Sequence, residues 1–343
     1  MNISLIGLPQ SGKRTLFSLL TGREVPSGQL SEPLEGVAPV RDPRVDSIAK
    51  IEKPEKITYA ETLIKLCTDI DPGSGNSSWI DAARLSDLLC IVVREFSSEE
   101  VYHTDGSVNA DRDRQNIEAE LLIADLSLTE SRLERIAKDR KRAKPTHNQQ
   151  VEENTVIKFN DALNDNILLN TLSLNDEEIK SVRSLNFLSL KPILWCLNVD
   201  EDKMTEDSKE NIFRVSALIE KEIMAIENSD ERSAFLNDLG ISESGVSRLN
   251  SAAYDLLGLM SFYTMGEDEA RAWTIKKGTL APVAGGKIHT DIERGFIRVE
   301  VIKYDDLIEE GSEQAVKAAG KSLLKGKDYL LEDGDICNFR FNV

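Results

Sequence analysis

The stretch GLPQSGKRT, residues 7–15, constrains this chain more than any other feature. It directly follows the apolar-leaning run NISLI and opens the segment KRTLFSLLTG. A strand that breaks into a glycine-rich loop and re-enters as a helix leaves backbone N–H groups aimed at one spot, with the helix dipole behind them. Gly7, Gly12 and Lys13 match the phosphate-loop pattern G-x-x-x-x-G-K-[ST], and Pro9, Gln10 and Ser11 complete the loop. The hydroxyl residue that should follow the lysine is Arg14. Thr15 cannot replace it, because one residue turns a helix by about 100°. On this motif alone, a tight strand–helix turn with an exposed lysine is the competing reading.

The loop needs a buried parallel strand on either side, and the chain supplies candidates. LLCIVV (88–93) and PILWCLNV (192–199) are short runs, apolar on both faces, separated by helix-like segments such as SSWIDAARLSD and SALIEKEIMAI. That alternation predicts a mostly parallel α/β sheet. Residues 112–185 differ in texture: no glycine, one proline, many charges. Ala119, Leu122, Leu126, Thr129, Leu133 and Ile136 repeat at coiled-coil spacing, and Val156, Phe159, Leu163 and Ile167 form a second stripe. Two antiparallel helices are expected, joined by the tip KDRKRAKPTHNQQ. From about residue 262 strand-like segments return in a small α+β domain. The expected domains are 1–111 with 186–261, an inserted helical hairpin 112–185, and 262–343.

Net charge is −18 over 343 residues, which disfavours the whole surface as a nucleic-acid binder. Lys138, Arg140, Lys141, Arg142 and Lys144 at the hairpin tip make a local basic patch, to be weighed against a merely solvated end. Four dispersed cysteines and three histidines without ligand-like spacing predict buried thiols in a cytoplasmic protein and no metal centre. No run is long enough for a membrane helix.

A second motif closes the strand at 192–199. Asn198, Val199, Asp200 and Glu201 stand where P-loop GTPases read guanine with N-K-x-D, and Ser216 and Ala217 follow where those proteins place a loop over the base. Three motifs in the right order on the right elements make chance unattractive. The sequence resembles the YchF branch of the Obg-related GTPases, also called Obg-like ATPases. VAPVRDPRVDSIAKIEKPEKIT, ELLIADLSLTESRLERI and, most closely, RAWTIKKGTLAP with GGKIHTDIERGFIRVEVIKYDDLIEEGSE and GKDYLLEDGDICNFRFNV carry the likeness.

The resemblance implies a P-loop domain interrupted by a coiled-coil hairpin and closed by a β-grasp (TGS-like) domain. It implies a purine nucleotide, ATP or GTP, and a ribosome or RNA partner reached through the hairpin tip and the TGS-like domain. Glu201, one methylene longer than aspartate, and Val199, in place of lysine, relax the reading of guanine. Magnesium is another matter, because three elements normally serve it in phosphoryl transfer. Arg14 replaces the hydroxyl, and Leu30, Ser31, Glu32 and Pro33 replace the family's Thr-Ile-Glu-Pro. Counting from KPEKIT puts the Asp of D-x-x-G on Leu66 and its Gly on Asp69, with Asp69 or Asp71 as displaced substitutes. Either Arg14 fills the cation's space and pairs with phosphate, or it points to solvent. His103 lies where the family carries a histidine suspected of positioning water, against the plainer reading of a surface-loop histidine. The reading is a nucleotide-binding protein with weak or lost hydrolysis. The alternatives are an active hydrolase using displaced ligands, and an interaction module without nucleotide.

Overall fold

In the computed structural model, which describes all residues except 29, 74–76, 206–210, 242 and 343, the expected strand–loop–helix entry forms. Strand β1 (Asn2–Ile6) is buried beyond its first residue and runs through the loop into α1 (Lys13–Thr21). Gly22 ends α1 in the left-handed conformation, its N–H donating to the Ser18 carbonyl. The chain continues through β2 (Leu34–Val40), α2 (Pro43–Glu52), β3 (Lys56–Thr58), β4 (Ala60–Leu66), α3 (Ser78–Arg84) and β5 (Leu88–Arg94). After α4 (Ala110–Arg140), α5 (His147–Asn164) and α6 (Asp176–Val182) come β6 (Ile193–Asn198), β7 (Ile212–Val215), α7 (Ala217–Ala225), α8 (Ser229–Asp238) and α9 (Gly245–Leu256).

The first sheet has the order β2-β4-β1-β5-β6-β7, and every pairing from β4 to β7 is parallel. Strands β5 and β6 are buried along their whole length, which is why they read as unbroken apolar runs. Ile91, Val93, Trp195 and Leu197 pack with Trp79 of α3, Ile117 and Leu121 of α4, and Ile219 of α7. All four cysteines are free and buried. Among the described residues no helix is long and apolar enough to cross a membrane.

Helix α4, about 46 Å long at 1.5 Å per residue, pairs with α5. The bond from Thr129 Oγ1 to Asn160 Oδ1 and the Arg140–Glu153 ion pair at 2.9 Å run in opposite directions along the two helices, so they are antiparallel. Leu122, Val156, Phe159 and Leu163 are buried in their shared core. The expected stripe needs two corrections. Ala119 is exposed, because the first half of α4 turns Ile117, Leu121 and Ala124 onto the sheet core instead. Ile167 lies beyond the end of α5 and is exposed. At the base, Asp125 is fully buried and accepts from Leu188 N (2.9 Å), Ser189 N and Ser189 Oγ (both 2.7 Å). Burial pushes its carboxyl above the ordinary value, with these donors opposing.

Two compact units emerge, Met1–Ala38 with Leu63–Leu249, and Pro39–Thr62 with Asn250–Val343. Residues 39–62, expected in the P-loop domain, group with the C-terminal part. The reason is strand pairing: β3 lies parallel to β9 (Glu269–Lys276) at the edge of the second sheet. That sheet has the order β11-β10-β12-β8-β9-β3, with β8 (Leu259–Thr264), β10 (Phe296–Lys303), β11 (Leu323–Lys325) and β12 (Asp335–Phe341). β12 is parallel to β8 and antiparallel to β10. Helix α10 (Ala281–Ile288) covers Phe262, Val299 and Val301 with Ala281 and Ala284. A polar cluster fastens α2: Arg44 Nη1 donates to Asp333 at 2.7 Å, and Arg44 and the Tyr263 hydroxyl both donate to Asp42. Burial raises the Asp42 carboxyl, but these donors outweigh it and leave it below its ordinary value.

Candidate nucleotide-binding site

The loop between β1 and α1 is shaped by positions that exclude ordinary side chains. Gly12 has φ 93°, and a Cβ there would stand 2.1 Å from Asn198 Nδ2. A Cβ on Gly7 would stand 2.4 Å from the Val92 carbonyl oxygen. Gln10 also takes a positive φ, 61°, and its side chain is exposed. Among the described residues the N–H groups of Gln10, Ser11, Gly12 and Lys13 find no backbone acceptor. The buried Ser11 Oγ has no partner either. Unsatisfied donors at a helix N-terminus, together with an orphan hydroxyl, fit a phosphate group.

Lys13 is 2% exposed, the reverse of the solvated lysine that a bare strand–helix turn would leave. Its Nζ donates to the carbonyls of Gly7 (3.0 Å) and Leu8 (2.9 Å) and pairs with Asp69. Burial depresses the ammonium's pKa, with the Asp69 charge opposing.

Asp69 corrects the register read from sequence. The ladder between β1 and β4 pairs Leu5 with Leu66 and continues past the strand ends, with Cys67 N donating to Leu5 O and Ile70 N to Gly7 O. That continuation carries Asp69, not Leu66, alongside the phosphate loop. Three residues further stands Pro72, followed by Gly73 with φ 75°. The last three residues of TDIDPGSGN lie outside the described residues.

In this structure Arg14 turns toward the segment that follows α1. Its Nη1 donates to the Gly28 carbonyl at 2.5 Å, and Arg23 Nη1 donates to the Glu35 carbonyl at 2.5 Å, so both arginines hold the segment joining α1 to β2. Ser31, Glu32 and Pro33 in that segment are exposed, Leu30 is half-buried, and Thr15 faces outward. For a divalent cation the fit is partial: Asp69 offers a carboxylate, while position 14 brings no hydroxyl and its guanidinium is turned to the Gly28 carbonyl.

At the other end, Asn198 is 5% exposed and spans two loops. Its Nδ2 donates to the Ser11 carbonyl at 3.1 Å, and its Oδ1 accepts from Ala217 N at 3.0 Å. Val199, Ser216 and Ala217 are buried around it. Asp200 turns away, its carboxylate accepting from Ser97 N at 3.0 Å, and Glu201 is exposed at the start of a short 3-10 turn. Behind the Ser216–Ala217 turn, the buried Glu220 accepts from Gly245 N and Val246 N at the start of α9.

With this geometry in view, comparison with known proteins is decisive. A family model described as "Protein of unknown function (DUF933)", YchF-GTPase_C, matches residues 259–342. "Ribosome-binding ATPase YchF" of Haemophilus influenzae is 38% identical over 361 residues, covering 99% of this chain and 98% of its own. The protein of that name from Pasteurella multocida is 37% identical over the same span and coverage. The chain belongs to the YchF family. The solved Schizosaccharomyces pombe YchF GTPase superposes with a TM-score of 0.83 at 28% identity, covering 99% of this chain and 97% of that one.

In this YchF chain, His103 is not the surface-loop residue of the plainer reading. It is 7% exposed and shares a tight crevice with Leu8, Pro9 and Ser11. Nε2 meets Asp113 Oδ2 at 2.9 Å, and Nδ1 accepts from Asp105 N at 3.2 Å, so both ring nitrogens are engaged. His103, Asp105 and Asp113 bring potential metal-ligand atoms within 4.8 Å of one another. Arg112 contacts both carboxylates, at 2.9 Å for Asp113 and 3.4 Å for Asp105. Sequence reading missed Arg94. This buried side chain donates to the carbonyls of Phe96 (3.2 Å) and Val101 (2.9 Å) and so shapes the loop that delivers His103. A charged residue closing the apolar run of β5 was the available signal. At the turn between α4 and α5, Lys138, Arg140, Lys141, Arg142 and Lys144 are all exposed. Lys138 and Arg140 pair with Glu134 and Glu153.

Proposed function

We propose that this protein binds ATP or GTP on the Lys13 loop, works on the ribosome in the cytoplasm, and hydrolyses nucleotide slowly or not at all. The names of its curated relatives, ribosome-binding ATPases, support the nucleotide and the partner together. The observation that carries the reading is the Asn198 bridge. One buried side chain mounts the phosphate loop and the Ser216–Ala217 turn on the same strand end. The N–H groups of residues 10–13 and Lys13 would hold phosphates, and Asn198, Val199, Glu201, Ser216 and Ala217 would surround the base. The bound nucleotide brings the phosphoanhydride; the chain's part is to orient it and neutralise its charge.

Slow hydrolysis follows from the cation position. Arg14 and Leu30 stand where a hydroxyl and the switch threonine would serve magnesium, and Asp69 alone persists. That carboxylate favours one alternative, an active hydrolase in which Asp69 holds the metal. We read the basic hairpin tip and the C-terminal sheet, as a TGS-like β-grasp module, as the contacts to ribosomal RNA and protein.

Equilibrium binding of ATP and GTP tests the site, with Lys13→Ala beside the wild type. We expect the variant to bind at least about tenfold more weakly, the scale of a lost charge-assisted phosphate contact. Equal binding by both proteins, or none by the wild type at millimolar nucleotide, would overturn the reading.

A further inference from the structure

We infer that the Asp69 carboxylate competes with the nucleotide's phosphates for Lys13, so that the site carries its own anionic stand-in; this rests on the nucleotide-binding reading above. An ammonium has three N–H donors, and Lys13 Nζ already serves three acceptors: Gly7 O, Leu8 O and Asp69 Oδ1. A phosphate oxygen that reaches Nζ must therefore take one of those places.

Two of the three are fixed. The carbonyls of Gly7 and Leu8 belong to the loop itself, and the Gly7 carbonyl also accepts Ile70 N at 3.1 Å. Moving either would dismantle the cradle. Asp69 is different: it is a side chain, 22% exposed where Lys13 is 2% exposed, and it turns about its own torsions. It also resembles the incoming group chemically, as an anionic oxygen acceptor. A desolvated ammonium needs an anionic partner, so Asp69 leaves only as phosphate arrives. The neighbouring cation gives no relief, since Arg14 is bonded to the Gly28 carbonyl. Carboxylate and phosphate thus contend for a single positive charge.

The contest is read in the absence of divalent cation, where Asp69 has no metal to serve. ATP affinity is measured by calorimetry in chelator for the wild type, Asp69→Asn and Asp81→Asn. Asp69→Asn keeps the side-chain shape and removes the competing charge, and we expect it to bind roughly tenfold more tightly than the wild type. Asp81→Asn removes the same charge from the exposed first turn of α3 and should stay close to the wild type. Unchanged or weaker affinity in Asp69→Asn overturns the inference, and so does equal tightening in Asp81→Asn, which would make the effect general electrostatics. Thermal melts check folding, and Asp69→Ser repeats the measurement if the amide variant fails to fold. Failure of the wild type and both Asp69 variants to bind would instead refute nucleotide binding, and this inference with it.

Discussion

At the scale of single residues, the site turns on which side chains hold each other. Asn198 and Gly12 are 186 positions apart, yet a methyl on one would overlap the amide of the other. Sequence showed both as motif members and could not show that they are one object. Asp69 was harder still. Its register depends on how far the β1–β4 ladder runs past the end of β4, which a fixed count from a flanking segment does not reveal. On the proposed reading, Arg14 occupies the sequence position whose hydroxyl would serve the cation. Arg14→Ser restores the missing hydroxyl and releases the Gly28 carbonyl. We expect magnesium-dependent turnover to rise on the order of tenfold, from one more ligand to the ion. Steady-state phosphate release checks this, and an unchanged rate would place the defect elsewhere.

At the scale of elements, legibility followed burial. β1, β5 and β6 were readable because both their faces are covered. β2 and β4 alternate more and less buried positions, but the alternation is blurred in the sequence because apolar Val37 and Leu63 fall on the less buried face. The hairpin was visible as a stripe, but α4 serves two cores, so the face read from spacing was only half of what it buries. Its anchorage is the Asp125 side chain, which satisfies three donors from residues 188 and 189. Asp125→Ala leaves those donors buried and unpaired, at a cost of about 3 kcal/mol. Urea unfolding would measure the loss. Hydrogen exchange should rise first at 186–190, and a loss below experimental error would mean the donors find other partners.

At the scale of the whole molecule, a strongly acidic chain carries its densest basic cluster at the turn that joins α4 to α5. The net charge of −18 repels nucleic acid in general, while Lys141, Arg142 and Lys144 make no ion pair among the described residues. If the tip meets ribosomal RNA, reversing Lys141 and Arg142 to Glu should weaken co-sedimentation with ribosomes on the order of tenfold and flatten its salt dependence. Unaltered sedimentation across salt would remove the tip from the interface.

On the proposed reading, the phosphate cradle holds a triphosphate without a full set of cation ligands. Titrating ATP into the protein with magnesium, and again with chelator, tests it most directly. Affinities within a few-fold of each other, with negligible turnover in magnesium, are the expected result. Binding that vanishes in chelator, with multiple turnovers when magnesium is restored, would contradict it.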